Sequence, residues 1–525
     1  MDAVIIGGGL AGLVAALGLI EQGLRVTLVD RDTPDALGGL ARESFGGLMI
    51  VGSPAQARNG ITDTPEIALA DWRRFGELAE GDRWPLAWAS SYVEHSRAGI
   101  HDWLAGMGQK FLPMPLWVER DGNSVPRWHV CWGTGAGLVA TILRALNAHP
   151  QRARLDLRFG IHVQRLLTEA GRVTGVIGSD ASGGEVTLRA ARVIIASGGI
   201  TGDDGMVRRH WHRDWQPAPP VILNGGHRFG DGTLHHAAQA AGAAVVQLDR
   251  QWNYAAGIRH WAPKKPRHGL SLVPVRHAVW TDATGQRVMP PLLTGLDTRD
   301  LVTRICALPG GYGWQVTNRR IALRELAVSG AEMNPSIRDG SRLRFLRDIL
   351  FGNRWLYDTL TGQAPDVVTA ESLPDLVAAM NRLDSPGPPV DADRLLASIA
   401  GFDAQIAQGA AATDPQLTAI ARMRQWRGDR VRLARGQRIL DPKAGPLVAI
   451  RTFVIARKTL GGITTDLSCR VLDAADQPIP GLYAVGEAAG FGGGNANGLR
   501  GLEGTFLGGA IHTGRRLAQA IAGGN

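Results

Sequence analysis

The chain alternates short apolar runs with longer stretches of helical spacing, and the alternation is clearest near its two ends. Ala3-Val4-Ile5-Ile6 is a β-rich apolar run that starts almost at the first residue. After a glycine-rich turn, Leu13 to Gln22 sets its apolar residues at helical spacing, and Arg25-Val26-Thr27-Leu28-Val29 predicts a second strand. Val193-Ile194-Ile195 and Gly481-Leu482-Tyr483-Ala484-Val485 are further strand-like runs. Leu138 to Leu146, Leu234 to Ala243 and Thr505 to Ala522 predict helices, the last of them amphipathic. Strands alternating with helices predict an α/β fold. Ala3 to Ile20 is uncharged and about as long as a short membrane span. Gly7, Gly8, Gly9 and Gly12 interrupt it, acidic residues flank it and no basic leader precedes it. It therefore predicts a buried strand, a turn and a buried helix, with no membrane span and no targeting peptide.

The turn carries chemistry. Gly7-Gly8-Gly9-Leu10-Ala11-Gly12 is G-x-G-x-x-G between a strand and a helix, and the second strand ends in Asp30. Gly7 permits the tight turn, Gly9 lets a pyrophosphate approach the helix N-terminus, and Gly12 lets helix and strand pack closely. Asp30 can accept hydrogen bonds from an adenosine ribose. The surrounding strand, helix and acid make this motif specific for a dinucleotide. A second glycine-rich loop spans Leu37 to Gly47, Ala196-Ser197-Gly198-Gly199 closes another strand, and Gly486-Glu487 follows the strand near the C-terminus. Distant segments returning to one site suit an extended FAD better than a nicotinamide nucleotide. Gly133-Thr134-Gly135-Ala136-Gly137 has no acid-ended strand after it and predicts a turn opening a helix, so no second dinucleotide site is expected.

Composition narrows the picture only slightly. A chain of 525 residues predicts two or three domains, and 44% hydrophobic with 20% charged residues is an ordinary globular balance. The net charge of +9 is spread over scattered arginines, with no run longer than pairs such as Lys264–Lys265 and Arg319–Arg320. That distribution predicts a solvated basic surface and no nucleic-acid partner. Three separated cysteines predict neither disulfides nor a metal cluster and point to the cytoplasm. No histidine spacing suggests a metal.

Together these segments resemble the FAD-binding domain of the fumarate reductase/succinate dehydrogenase flavoprotein superfamily, and within it dehydrogenases related to 3-ketosteroid Δ1-dehydrogenase. The resemblance extends through Asn123-Ser124-Val125-Pro126-Arg127, Leu440-Asp441-Pro442-Lys443, Lys458-Thr459-Leu460-Gly461-Gly462 and Leu502-Glu503-Gly504-Thr505-Phe506-Leu507. It implies a Rossmann-like FAD-binding domain assembled from 1–205 and 440–525, with an inserted α+β capping domain at 206–439. It also implies a cofactor-binding set. Besides Gly7, Gly9, Gly12 and Asp30, this includes Leu10, Ala11, Arg31, Gly39, Ser44, Gly46, Gly47 and Val163. Ala196, Ser197, Gly198, Asp231, Gly486, Glu487, Thr505, Phe506 and Leu507 complete it. Members with covalent flavin use a histidine near the second glycine loop. Residues 37–47 contain none, so FAD is expected to be non-covalent.

Desaturation beside a ketone needs a donor that polarises the carbonyl, a base for the α-proton, and a hydride path to the flavin. Ketosteroid dehydrogenases use tyrosines and a backbone N–H. Gly504 falls at the backbone donor, while Arg500 stands where the family has a tyrosine and where fumarate reductases bind substrate with an arginine. Tyr254 is the first candidate acid/base, Tyr312 the second and His129 a third. The expected reaction is FAD-dependent desaturation of a cyclic hydrophobic ketone. The alternatives are an ene-reductase of an unsaturated acid, for which Arg500 argues, and a non-catalytic electron-transfer flavoprotein. The electron acceptor and the oligomeric state stay open.

Overall fold

In the computed structural model, which describes residues 1–523, the first apolar run is strand β1 (Ala3–Ile6). All four of its residues are buried, as expected for a parallel strand covered on both faces. Gly7 to Gly9 turn the chain into helix α1 (Leu10–Glu21), which is buried on nearly every side, and β2 (Val26–Val29) returns parallel to β1. β3 (Leu155–Arg158) lies beyond β2, and β4 (Arg192–Ile195) flanks β1 on its other side. β5 (Arg470–Leu472) and β6 (Pro478–Ala484) complete a six-stranded sheet in the order β5-β6-β4-β1-β2-β3. Every pairing is parallel except that of the edge strand β5. The C-terminal helix α2 (Thr505–Ala522) has the predicted bounds and packs along α1. Small residues set that approach: a Cβ on Gly18 would lie 2.5 Å from the Cβ of Ala518.

The chain folds into two compact units. The first comprises 1–212, 226–252 and 458–525, and the second 213–225 and 253–457. These bounds differ from the expected 1–205, 206–439 and 440–525: the first unit runs on to 212, and two larger differences each have a physical reason. The segment 226–252 joins the first unit because Asp231 pairs with Arg31 and the helix Thr233–Ala240 packs on the strand His162–Glu169. The segment 440–457 stays with the second unit because the strand Leu447–Thr459 is central to an eight-stranded sheet. There it pairs with Tyr312–Asn318, Val367–Ala370 and Ile222–Asn224. The molecule is a mixed α/β fold. No helix among the described residues is long and apolar enough to cross a membrane. The three cysteines are buried and unpaired with one another.

Burial in the first unit also sets its response to acid. Desolvation holds His129 and His235 down to about 4, and His512 to about 3, against an ordinary 6.5. The unfolded chain takes protons that the folded chain refuses, so stability is fully present above the unfolded value and is lost as the pH falls towards the folded ones. Each ring then removes about 1.4 kcal/mol per pH unit. Denaturant midpoints should fall from about pH 7 to about pH 5. A level profile would mean that the rings carry protons in the fold.

Candidate cofactor and substrate site

The glycines of the N-terminal turn do different physical work. A Cβ on Gly7, whose φ is +110°, would lie 2.5 Å from the Ala196 carbonyl oxygen, so this glycine lets β1 and the loop after β4 meet. A Cβ on Gly12 would come within 2.0 Å of the Gly7 carbonyl oxygen, which fixes α1 against the turn. At Gly9 a Cβ would meet no protein atom within 4 Å, and the same is true at Gly198. Both residues are half-buried, so they border open volume beside main chain. The first turn of α1 points into this region with no acidic side chain. Its N–H groups and the positive end of the helix dipole suit a pyrophosphate.

The end of β2 collects polar groups from distant segments. Asp30 accepts from the Gly8 N–H at 2.5 Å through Oδ2 and from the Asp32 N–H at 2.7 Å through Oδ1. Its carbonyl accepts from the Ile161 N–H, which brings the buried Val163 close in sequence to this corner. Arg31 pairs with Asp231 at 2.7 Å and lies over the Phe229 ring at 4.4 Å, while Arg228 covers the same ring at 4.7 Å. Burial opposes ionisation of Asp231, but hydrogen bonds from Thr233 and Arg31 outweigh it and keep the carboxyl below its usual range.

The second glycine loop is shaped largely by protein. Gly46 would drive a Cβ to 2.5 Å from Thr134, and Gly47 to 2.0 Å from the Trp128 ring. The Ser44 hydroxyl donates to the Ala41 carbonyl, and a Cβ on Gly135 would strike that hydroxyl oxygen at 2.2 Å. The missing side chains at 46 and 47 therefore serve packing, and a cofactor contact there would have to come through main chain. Gly39 differs: the protein atom nearest its Cβ position is the Gly9 Cα at 3.5 Å. Gly133 opens the helix Thr134–Ala148, as the sequence predicts, though four residues earlier than Leu138.

Near the C-terminus, Glu487 accepts from the Thr459 N–H at 2.9 Å, and the Thr459 hydroxyl accepts from the Ile200 N–H at 2.9 Å. These bonds tie the loops after β4 and β6 together. A Cβ on Gly486, whose φ is +67°, would lie 2.7 Å from the Ala11 Cβ. Gly504 caps α2 with φ +98°, and a Cβ there would lie 2.3 Å from the Met49 amide nitrogen. Thr505 fixes the start of the helix by donating to Leu502 O at 2.6 Å. Phe506 is buried against Phe491 and Trp252, and the Lys458 ammonium sits 4.2 Å from its ring centre; Leu507 is half-buried.

The proposed catalytic side chains fall in unlike surroundings. Arg500 hydrogen-bonds Glu77 through Nη1, is 22% exposed, and has its guanidinium 5.9 Å from the Phe75 ring centre. Tyr254 is half-buried on the strand Gln251–Arg259 of the second unit, with the Arg457 guanidinium 5.7 Å from its ring centre. Tyr312 is buried in that unit between Trp314 and Phe453, and burial raises its pKa. His129 is buried in the first unit. Its Nε2 meets the Ser53 hydroxyl at 2.6 Å and its Nδ1 the Arg127 carbonyl at 2.7 Å. Both nitrogens are thus engaged within the protein.

Several residues around the site escaped the sequence reading. Trp252 donates through Nε1 to Glu503 at 3.0 Å, and the buried Tyr92 hydroxyl donates to Met49 O at 2.8 Å. Tyr92 also stands where a Cβ on Gly508 would go, so it buttresses the first turns of α2. Only the positions of Lys458 and Thr459, beside Gly461-Gly462, carried a signal in sequence.

A family profile described as "FAD binding domain" matches residues 2–507. A KsdD-like steroid dehydrogenase of Mycobacterium tuberculosis is 42% identical over 550 aligned residues, which cover 99% of this chain and 95% of that protein. The structure of 3-ketosteroid Δ1-dehydrogenase from Sterolibacterium denitrificans in complex with 1,4-androstadiene-3,17-dione superposes with a TM-score of 0.73 at 18% identity. That match covers 100% of this chain and 99% of the other. The open conformation of a flavocytochrome c3 fumarate reductase gives a TM-score of 0.70 at 20% identity, covering 99% and 78%. The two structural likenesses establish the fold.

Proposed function

From the premise that this chain belongs to the FAD-binding-domain family and is an FAD-dependent oxidoreductase, we propose that it desaturates a carbon–carbon bond next to the carbonyl of a ketosteroid-like substrate. The observation that carries this reading is the 42% identity to a KsdD-like steroid dehydrogenase over 99% of the chain. In it, the first unit is a Rossmann-like cofactor domain and the second a cap that supplies substrate-binding surface. FAD is held non-covalently. Gly9, Leu10, Ala11, Gly39 and Gly198 border the pyrophosphate, Asp30, Arg31, Val163 and Asp231 the adenosine, and Gly486, Glu487 and the start of α2 the flavin end. We place the protein in the cytoplasm, which suits its free cysteines.

Bound FAD supplies the hydride acceptor. The protein's part is to acidify and remove the α-proton. The polarising donor is assigned to the Gly504 N–H at the positive end of α2, and Tyr254 is the candidate for the base. Tyr312 and His129 are framework residues in this scheme. The Glu77–Arg500 pair favours a ketone over a carboxylate substrate, because an acid would have to compete with Glu77 for the guanidinium.

Mixing the FAD-loaded enzyme anaerobically with saturated 3-ketosteroids should bleach its flavin absorbance and yield the unsaturated ketone. Tyr254→Phe should keep its FAD and lower kcat by about 10²–10⁴-fold. A reduced enzyme reoxidised by unsaturated acids and not by unsaturated ketones would overturn the reading, as would full turnover in the tyrosine variant.

A further inference from the structure

The second unit carries an amphipathic helix turned the wrong way for a soluble surface. Arg342–Phe351 has the sequence RLRFLRDILF. Leu343 is 84% exposed, Leu346 53%, Leu350 66% and Phe351 80%, the largest cluster of exposed apolar side chains among the described residues. At about 100° per residue, Leu343, Leu346 and Leu350 share one stripe of the helix, and Phe351 extends it at the end. Phe345, Asp348 and Ile349 lie on the other side and are half-buried. The same geometry sets Arg342 on one flank of the stripe and Arg347 on the other, both exposed. Arg344 lies over the Trp355 ring at 5.4 Å. The helix has one acidic residue, Asp348, whose side chain is only 11% exposed and bonds Arg347 at 3.3 Å.

We propose that this helix docks the protein on an anionic lipid surface. An exposed leucine stripe between arginines is what an interfacial helix needs. Its apolar face enters the boundary between headgroups and acyl chains, and its long cationic side chains reach back to the phosphates. The charge argues for lipid over a second copy of this chain, because two such faces brought together would set arginines against arginines. The whole chain's charge of +9 adds attraction to the same surface. Docking of this kind is peripheral and needs no spanning helix. It does not rest on the ketosteroid reading, although a hydrophobic ketone would dissolve in the layer the helix enters.

The test is sedimentation of the FAD-loaded, full-length protein with vesicles of phosphatidylcholine alone or mixed with phosphatidylglycerol. Binding should favour the mixed vesicles and weaken as salt is raised. The double variant Leu343→Glu, Leu350→Glu should bind at least about tenfold more weakly, because charged groups replace the inserted side chains. Arg342→Gln with Arg347→Gln should lose the preference for phosphatidylglycerol. Both pairs change exposed side chains, so flavin absorbance and turnover in vesicle-free solution should stay at the wild-type level and report an intact fold. Equal binding by the wild type and the leucine variant would overturn the proposal, as would no vesicle binding at all. A dimer in solution that the leucine variant abolishes, without vesicle binding, would overturn it in favour of self-association. The vesicle assay uses no substrate, so its failure is separate from any failure of the proposed reaction.

Discussion

Replacing Arg127 with methionine lowers the unfolding free energy by about 3–5 kcal/mol near neutral pH. The guanidinium is 1% exposed and grips Asp63 with two hydrogen bonds, Nε to Oδ2 at 2.9 Å and Nη2 to Oδ1 at 2.8 Å. Its Nη1 reaches Asp71 at 2.6 Å and Asn123 at 3.1 Å. Asp63 also accepts from Gln56, and Asp71 from the Ser124 N–H and hydroxyl. Methionine fills much of the volume but leaves two carboxylates in a dry place without their cation, and that uncompensated charge is the main cost. The pH dependence separates this cost from lost packing. In the wild type, burial opposes ionisation of Asp71, but hydrogen bonds from Ser124 and Arg127 outweigh it and keep its pKa below the usual range. Its contribution is therefore present above the unfolded value, about 3.9, and is lost only as the pH falls through the lower folded one. Without the arginine Asp71 takes up its proton at higher pH, so the gap between wild type and variant should narrow as the solution is acidified. Guanidinium unfolding at neutral and mildly acid pH measures both effects. An unchanged neutral midpoint would show that the network contributes nothing net.

This network shows where sequence reading stops. Asn123-Ser124-Val125-Pro126-Arg127 was legible as a motif, yet its residues turn out to satisfy one another and two aspartates from an earlier segment. Local features were read well, because period and turn chemistry act over a few residues: β1, α1, β2 and the whole of α2 follow from them. Glycine was harder. A residue without Cβ signals a close approach but not its partner, and at Gly47 the partner is the ring of Trp128. Sequence marks Arg500 as a candidate site residue, while its ion partner Glu77 lies 423 positions away, beyond the reach of any spacing argument. The domain bounds shifted for a similar reason. The strand Leu447–Thr459 gives no sign in sequence that its partners lie in the second unit rather than beside β1.

Gly9→Val should fold and lose its flavin, whereas Gly12→Val should fail to fold, although both change the same motif. At Gly12 the added Cβ would sit 2.0 Å from the Gly7 carbonyl oxygen, and neither the buried turn nor α1 can retreat, since α1 is fixed along α2. Overpacking typically costs about 1–3 kcal/mol, and more where, as here, the obstacle is main chain. At Gly9 the backbone has an ordinary φ of −68° and the Cβ position is open, so the protein alone offers no objection to a side chain. Losing a glycine N-cap costs only a few tenths to about 1 kcal/mol. A pyrophosphate seated on the first turn of α1 must approach where the valine methyl groups would stand. The expected result is a soluble Gly9→Val protein with a near wild-type unfolding midpoint and an FAD dissociation constant raised by at least about a hundredfold, equivalent to about 2.7 kcal/mol. Retention of FAD in Gly9→Val would show that the open volume at this turn is not where the cofactor binds. It would also remove the main physical support for the role assigned to the N-terminal motif. A stable Gly12→Val protein would instead show that the turn can shift, so the contrast between the two variants tests the geometry itself.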